Sequence, residues 1–224
     1  MAYILNIETA TKNCSVSLGY SGQPVDLIEY AGESYSHAEK LHVFVDEILK
    51  NNKIKPTDLQ AVAVSKGPGS YTGLRIGVSA AKGLAYALNI PLIAVSTLHL
   101  LARQIRTDND AYIIPLIDAR RMEVYSAVYD NNYQLIRKVQ ADILDDKPFD
   151  KYLNEKEVIF TGDAVPKTKE IIQHENAFFS NIKYPSAKNL IKISYKKFID
   201  KKFENIAYFE PYYLKDFIVT RKKS

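Results

Sequence analysis

The sequence predicts an α/β protein with two related halves, each a mixed β-sheet flanked by helices. Strand-like runs of apolar or alternating residues are separated by stretches with helical periodicity, and the first eight elements run β-β-β-α-β-α-β-α. A degenerate pattern then recurs from Ile7 to Ile117, an offset of 110 residues. A meander of strands followed by helical crossovers is typical of mixed sheets. We therefore predict two domains, at residues 1–110 and 111–224.

The hydrophobic pattern of the first half predicts five strands and three helices. Its first strand is mostly apolar, and the second alternates with period two. The predicted strands cover residues 3–8, 14–18, 25–30, 61–65 and 92–95. The predicted helices cover residues 36–50, 72–88 and 98–106. Ser36 and Glu39 have the spacing of a capping box, which predicts the start of the first helix.

The second half repeats the beginning of the first. Ile117-Asp118 corresponds to Ile7-Glu8, since each pair ends an apolar strand with a carboxylate. A strand is predicted at 123–129, and a second strand follows a turn at 130–132. A third strand is predicted at 158–160, and helices are predicted at 166–174 and 186–200. Two such halves form the ribonuclease-H-like architecture of actin, Hsp70 and the sugar kinases. In that superfamily the two matched carboxylates bracket a metal-bound nucleotide.

Composition narrows the class of protein. The chain has 224 residues, 46% of them hydrophobic and 25% charged, so it is long enough to bury an ordinary core. The single Cys14 leaves no intrachain disulfide and fits a reducing compartment. The N-terminus lacks the pattern of a signal peptide, and no apolar run reaches the roughly 18–20 residues that span a bilayer. We therefore expect a cytoplasmic protein without a membrane segment.

Basic residues concentrate near the C-terminus. The net charge is +4, and the residues from Ala187 onward include 10 Lys or Arg against 4 Asp or Glu. Such a segment can meet the phosphates of a nucleic acid, or it can be a solvated helix face followed by a frayed tail. The sequence leaves both interpretations open.

One glycine-rich run joins a strand to a helix. It reads Ser65-Lys66-Gly67-Pro68-Gly69-Ser70-Tyr71-Thr72-Gly73-Leu74-Arg75-Ile76-Gly77. Glycines allow a tight turn, and the N–H groups at a helix start can hold an anion. The run has neither the spacing of a P-loop nor the third glycine of a dinucleotide fingerprint. From the residues alone, a structural turn and a phosphate cradle both remain open.

This run resembles the signature of the TsaB family of tRNA threonylcarbamoyladenosine biosynthesis proteins, once grouped with glycoproteases. Other segments fit the same family in the same order. They cover residues 3–11, 90–98, 117–120 and 210–214. The resemblance spans nearly the full length of the chain, with many matching segments over residues 1–130 and few over residues 131–205. It implies a paralogue of TsaD with an actin/Hsp70/sugar-kinase-like fold.

The resemblance implies a function in tRNA modification. In this pathway TsaC makes threonylcarbamoyl-AMP, and TsaD transfers the threonylcarbamoyl group to N6 of the adenosine next to the anticodon in ANN-decoding tRNAs. A TsaB-like chain would be the non-catalytic scaffold that organises TsaD and recruits the ATPase TsaE. tRNA would bind through the complex, with Arg221, Lys222 and Lys223 as its candidate contacts on this chain.

The resemblance also implies an interface. TsaB-like proteins pair through a helical bundle of their N-terminal domains, with themselves as a homodimer when alone and with TsaD as a heterodimer. The helices at 36–50 and 72–88 match this bundle. The second helix also carries a seam of small residues that would let another helix approach closely. The candidate interface residues are Leu41, Val45, Ile48, Gly73, Gly77, Ala80 and Leu84.

The turns with which the superfamily contacts a nucleotide are only partly present in this sequence. Its phosphate turn has the form Asp-x-Gly-Thr, whereas this chain has Glu8-Thr9-Ala10-Thr11, in which Ala10 adds a Cβ where phosphate must come close. The second turn, Asp118-Ala119-Arg120, also lacks glycine. The candidate nucleotide contacts are Glu8, Thr9, Thr11, Asp118 and Gly162. We expect no tightly bound cofactor, with ATP or ADP bound only within the partner complex.

No catalytic or metal site is predicted. TsaD holds its metal with a His-x3-His pair, but the matching segment here contains only His99. His37 and His42 are five residues apart, roughly 140° around a helix, so they cannot grip one ion together. Cys14 occupies an apolar position of an alternating strand, as a small buried residue would. The alternatives are an active small-molecule kinase or ATPase of the same superfamily, with Glu8 and Asp118 around magnesium, and a metalloprotease.

Overall fold

The computed structural model describes residues 1–32 and 36–215. The strands are β1 Tyr3–Glu8, β2 Asn13–Tyr20, β3 Gln23–Ala31, β4 Leu59–Ser65, β5 Leu92–Val95, β6 Tyr112–Asp118, β7 Glu123–Tyr129, β8 Leu135–Ile143, β9 Val158–Thr161 and β10 Ala177–Phe179. The helices are α1 His37–Asn51, α2 Tyr71–Ala87, α3 Thr97–Ala102, α4 Asp150–Glu155, α5 Val165–Ile171 and α6 Leu190–Ile199. Short 3-10 turns lie at Pro56–Asp58, Leu144–Asp146 and Ala187–Asn189.

These strands form two five-stranded sheets with the same plan. The first has the order β3-β2-β1-β4-β5, and the second has the order β10-β9-β6-β7-β8. β1 runs antiparallel to β2 and parallel to β4, just as β6 runs antiparallel to β7 and parallel to β9. β6 is therefore the equivalent of β1, and Asp118 ends β6 as Glu8 ends β1. The predicted duplication of mixed sheets flanked by helices is confirmed.

Helices cover both faces of the first sheet. Successive side chains of its central strands point to opposite faces, as the pleat of a strand requires. The side chains that pack with α1 and α2 are Leu5, Ile7, Val62 and Val64. Those that pack with α6 are Ile4, Ala61, Ala63 and Ile93. α1 and α2 thus lie on one side of this sheet, and α6 lies on the other.

The second sheet is also covered on both faces, by helices from both halves. One face packs against the segment of α4 and α5 through Phe149, Leu153 and Val165. The opposite face packs against α3 through a cluster of buried apolar side chains, which includes Leu98, Leu101, Ile105, Ile113, Ile117 and Ala127. The strands of the first sheet precede residue 110 and those of the second sheet follow it. Two helices, however, pack on the sheet of the other half. α3 covers the sheet of the second half, and α6 covers the sheet of the first.

Some local features differ from the sequence-based expectation. The sequence did not predict α4 or β10, which have only six and three residues and so offer little periodicity. The predicted capping box at Ser36 is wrong, because its side chain makes no cap hydrogen bond. With a ψ of 22°, Ser36 instead turns its carbonyl toward the N–H of Glu39, at 3.2 Å. Ser70 instead caps α2, since its hydroxyl accepts the N–H of Gly73 at 3.3 Å.

The segment after α6, residues 204–215, returns across the first domain. The N–H of Tyr212 donates to the carbonyl of Lys66, at 2.6 Å, within the glycine-rich run. Lys215 then forms an ion pair with Glu123 of β7. This segment therefore connects the glycine-rich run of the first half to the sheet of the second.

A buried ion pair stabilises the outer part of the second sheet. Nη1 and Nη2 of Arg137 donate to the two carboxylate oxygens of Asp142, at 3.1 and 2.7 Å. Ser126 of β7 and Gln140 also donate hydrogen bonds to this carboxylate. The guanidinium lies 5.3 Å from the ring centroid of Phe149, within the range of a cation–π contact. The side chains of Arg137 and Asp142 are only 16% and 3% exposed, so the pair joins β7, β8 and the start of α4 away from water.

Candidate partner groove and closed nucleotide turn

The turn after β1, where the superfamily places phosphate, is closed by the chain itself. Its residues 8–11 are between 0% and 2% exposed. The first turn of α2 lies directly against it. The N–H of Ser70 donates to the carbonyl of Ala10 at 2.7 Å, and the hydroxyl of Thr9 donates to the carbonyl of Gly73 at 2.8 Å. The start of α2 therefore occupies the space over this turn and is hydrogen-bonded to it.

α1 closes the same turn from another side. Nε2 of His37 lies 2.7 Å from the carbonyl oxygen of Thr11, and the ring packs beside Gly73. His37 is 2% exposed, and this burial lowers its pKa. A neutral imidazole can still donate from Nε2 to a carbonyl. His37 thus holds α1 to the turn and is a structural residue.

The small residues of α2 let the helix approach this turn closely. A Cβ at Gly73 would lie 2.2 Å from the carbonyl oxygen of Thr9, and one at Gly77 would lie 2.1 Å from its Oγ1. Gly73 and Gly77 were predicted to face a partner protein, but they face Thr9 of the same chain. The sequence showed that the seam permits close approach and could not show which segment approaches. Replacing Gly77 with leucine would therefore disturb the fold itself.

Glu8 is a buried carboxyl group at the end of β1. Its Oε1 accepts the N–H of Ala10 at 2.6 Å, and its Oε2 has no hydrogen-bond partner among the residues that the structure describes. Burial raises the pKa of Glu8 to about 7, although the hydrogen bond from the N–H of Ala10 acts to lower it. The side chain therefore takes up a proton near neutral pH, and it has no exposed surface from which to bind a magnesium ion.

The corresponding carboxylate of the second half is exposed and already paired. Asp118 forms an ion pair with Lys167 of α5, and its N–H donates to Oδ1 of Asp163 at 2.8 Å. Burial raises the pKa of Asp163 to about 6. Gly162 has a φ of +120°, and a Cβ there would lie 1.9 Å from the carbonyl oxygen of Leu116. Glycine is needed at this position because the turn passes against the backbone of β6.

These placements do not bring the candidate nucleotide contacts together. Glu8, Thr9 and Thr11 lie beneath α1 and α2, whereas Asp118 is on the surface with Lys167. Gly162 meets protein backbone. The turn after β1 therefore does not fit a nucleotide phosphate in the chain as it stands. The eroded Asp-x-Gly-Thr motif indicated a weakened site, but no sequence signal indicated that α2 covers it.

The glycine-rich run is a structural junction. Gly67 and Thr97 at the start of α3 exchange two hydrogen bonds, at 3.1 Å from Gly67 N–H to Thr97 Oγ1 and at 3.0 Å from Thr97 N–H to the Gly67 carbonyl. The N–H groups of Ser70 and Gly73 are bonded to Ala10 and to the Ser70 hydroxyl. These donors face protein acceptors, which favours the structural turn over the phosphate cradle.

The remaining reactive side chains are placed as packing residues. Burial raises the pKa of the Cys14 thiol to about 11 and lowers the pKa of His99 to about 4. The His99 ring lies 5.4 Å from that of Tyr129, between the two halves. Within residues 1–32 and 36–215, no group of three or more His, Cys, Asp or Glu side chains is arranged to hold a metal ion. None of the helices in these ranges is long and apolar enough to cross a membrane.

The outer side of α1 and α2 carries an open groove of about 510 Å³, named here the α1/α2 groove. Its lining is mostly small and apolar: Ala38, His42, Ile76, Ser79, Ala80, Gly83 and Leu84. Gly83 leaves a gap in the wall, because a Cβ added there would have no neighbouring atom within 4 Å. The groove offers apolar surface on the side of the helices that faces away from the sheet.

This groove includes only some of the predicted interface residues. Ala80 and Leu84 line it. Leu41, Val45 and Ile48 are instead between 0% and 7% exposed, inside the core beneath the first sheet. Their assignment to a partner surface is corrected, because the apolar stripe of α1 is used in packing on its own sheet. The groove residues that sequence reasoning missed are mostly small or polar, so no periodicity distinguished them.

Solved structures share this architecture over almost the whole chain. A Pseudomonas aeruginosa protein described as similar to the peptidase YeaZ has a TM-score of 0.84 and 25% identity, covering 96% of this chain and 100% of that one. Component A of the (R)-2-hydroxyglutaryl-CoA dehydratase of Acidaminococcus fermentans shares the fold alone, with a TM-score of 0.51 and 14% identity over 88% and 99% of the two chains. The chain has the actin/Hsp70/sugar-kinase-like fold, and its own helices fill the turn after β1.

Sequence comparison gives the family. Residues 32–222 match the family model described as TsaD, tRNA N6-adenosine threonylcarbamoyltransferase. A Bacillus subtilis (strain 168) protein is 36% identical over 176 residues, which are 76% of this chain and 75% of that one. An Escherichia coli (strain K12) protein is 30% identical over 232 residues, 98% and 97% of the two chains. Both are named tRNA threonylcarbamoyladenosine biosynthesis protein TsaB. This chain belongs to the TsaB family, as the glycine-rich signature predicted.

Proposed function

We propose that this chain is a non-catalytic subunit required for threonylcarbamoyl transfer to N6 of the adenosine next to the anticodon in ANN-decoding tRNAs. It organises TsaD and recruits the ATPase TsaE in the cytoplasm. One observation carries the proposal: α1 and α2 fill the phosphate turn with their inner sides and present an apolar groove on their outer sides. An enzyme of this fold needs the turn open, whereas a partner subunit needs the groove.

The α1/α2 groove is the docking site for TsaD in this proposal, and a second copy of the chain occupies it when TsaD is absent. The gap at Gly83 and the small side chains of Ala38 and Ala80 leave room for the side chains of another helix. Burial of one leucine of the partner in this groove would contribute roughly 1.5–3 kcal/mol. ATP or ADP binds only within the complex, since the turn of this chain is closed.

The test is a reconstituted transfer reaction with purified TsaC, TsaD, TsaE and tRNA, with and without this chain. We expect transfer to stop when the chain is omitted and to return when it is added. Transfer that proceeds equally well without the chain would contradict the proposed function.

Replacing Gly83 with leucine should block TsaD binding without unfolding the chain. The added side chain meets open space, and leucine has a higher helix propensity than glycine by up to about 1 kcal/mol. It also fills the middle of the α1/α2 groove. We expect at least a tenfold loss of affinity for TsaD by calorimetry, together with an unchanged or higher melting temperature.

Gly83→Ala is the matched control. It brings the same gain in helix propensity but adds only one methyl group, so it should bind TsaD nearly as the wild type does. Sedimentation of each variant alone reports the homodimer. If Gly83→Leu binds TsaD and itself with wild-type affinity, the α1/α2 groove is not the docking site.

A further inference from the structure

The outer face of α6 concentrates positive charge. Residues 183–202 include seven lysines and a single acidic residue, Asp200. Six of these lysines are exposed. Lys197 is the exception, since it turns inward and donates to the carbonyl of Ala94 at 2.6 Å. The exposed charge is therefore a surface property of this helix and its flanks.

Three of these lysines lie in a row. Lys188, Lys192 and Lys196 are four residues apart, the first in the 3-10 turn that leads directly into α6. Because an α-helix rises 1.5 Å per residue with 3.6 residues per turn, side chains at this spacing follow one face about 6 Å apart. We name these three residues the α6 lysine ridge.

No acidic side chain in the part of the chain that the structure describes neutralises the α6 lysine ridge. Across residues 1–32 and 36–215, none of its three lysines forms an ion pair, and Asp200 is paired at 3.5 Å with Lys202. Like charges four residues apart destabilise a helix by a few tenths of a kcal/mol. A bound polyanion would remove this repulsion and release counterions.

The first sheet separates α6 from α1 and α2. α6 packs on the face of the first sheet opposite to α1 and α2, through Tyr195 and Phe198. The α1/α2 groove and the α6 lysine ridge are therefore on opposite sides of the same sheet. A partner docked in the groove would therefore approach from the side of the sheet opposite the ridge.

We propose that the α6 lysine ridge contacts the phosphate backbone of the tRNA substrate. This inference rests on the proposed function, and it places the tRNA on this subunit. An RNA fits better than an anionic membrane, because a helix that binds lipid turns its apolar face to the bilayer, whereas that of α6 is buried on the sheet. The contacts predicted from sequence, Arg221, Lys222 and Lys223, lie outside the described residues.

The triple variant Lys188→Gln, Lys192→Gln, Lys196→Gln tests the ridge. Binding of a transcribed ANN-decoding tRNA is measured against salt concentration, with the chain alone and with its complex with TsaD. Each lost phosphate contact lowers the slope of log affinity against log salt by about 0.7–0.9. We therefore expect a slope smaller by about 2–3 and, at low salt, an affinity lower by about tenfold or more.

A matched control removes the same charge elsewhere. Lys138, Lys151 and Lys169 are exposed on the second half, and their triple glutamine variant should bind tRNA as the wild type does. Equal losses in the two triple variants, or an unchanged slope in the ridge variant, would overturn the proposal. So would a ridge variant that loses binding to vesicles containing anionic lipid while it keeps its tRNA affinity.

The transfer reaction separates this inference from the proposed function. If transfer needs the chain but the ridge variant binds tRNA normally, the proposed contact between the ridge and tRNA is wrong and the proposed function stands. If the ridge variant loses tRNA binding but transfer does not need the chain, the ridge stands and the proposed function fails.

Discussion

Replacing Asp142 with asparagine will lower the free energy of unfolding by about 3–5 kcal/mol, the usual effect of removing one partner from a buried ion pair. The substitution leaves the guanidinium of Arg137 without its bidentate acceptor at a position that is 16% exposed. It also weakens the hydrogen bonds from Ser126 and Gln140. The outer strands of the second sheet and the start of α4 should loosen together.

Urea denaturation at pH 7 measures this effect. Asp145→Asn is the control, since Asp145 is exposed and its substitution should change stability by less than about 0.5 kcal/mol. The double variant Arg137→Met, Asp142→Leu removes both charges and should recover much of the loss. A loss below about 1 kcal/mol for Asp142→Asn would show that the pair is effectively solvated.

Replacing Glu8 with glutamine will stabilise the protein at pH 8 and will have little effect at pH 4.5. Burial raises the pKa of Glu8 from 4.5 to about 7. Below pH 4.5 the folded and unfolded states both hold the proton. Between pH 4.5 and 7 the unfolded state releases it first, so the stability of the wild type falls by about 1.4 kcal/mol per pH unit. The difference between variant and wild type should reach about 3 kcal/mol and stay constant at higher pH.

Denaturation of both proteins from pH 4.5 to 8 gives this difference directly. Glu47→Gln, on the exposed side of α1, is the matched control and should show no comparable pH dependence. A difference between Glu8→Gln and wild type that does not change with pH would mean that Glu8 ionises in the folded protein as it does in the unfolded chain.

The sequence predicted the repeated sheets well, because apolar runs ending in a carboxylate mark β1 and β6 in both halves. Strand bounds were accurate where a polar turn follows at once, as at Glu8 and Tyr129. Short elements with few periodic positions, such as α4 and β10, were not recognised. These strengths and failures have a common cause, since local pattern identifies an element only when it is long or sharply bounded.

The candidate site was harder to predict, because it depends on which surfaces meet. Helical periodicity identified the small seam of α2, but it could not show that Gly73 and Gly77 face Thr9. It also could not show that the apolar stripe of α1 is buried in the core. Of the predicted interface residues, only Ala80 and Leu84 line the groove. The raised pKa of Glu8 has no local signal at all, because it arises from burial by segments distant in sequence.

The exchange of α3 and α6 between the two halves has a consequence for synthesis. The first sheet is built from residues near the N-terminus, yet one of its faces is covered by α6 and the 3-10 turn before it, at residues 187–199. Domains synthesised on the ribosome usually fold in order from the N-terminus. Here the first half must wait with an apolar face uncovered until most of the chain has emerged. We therefore expect the two repeated halves to complete their folding together and not one after the other.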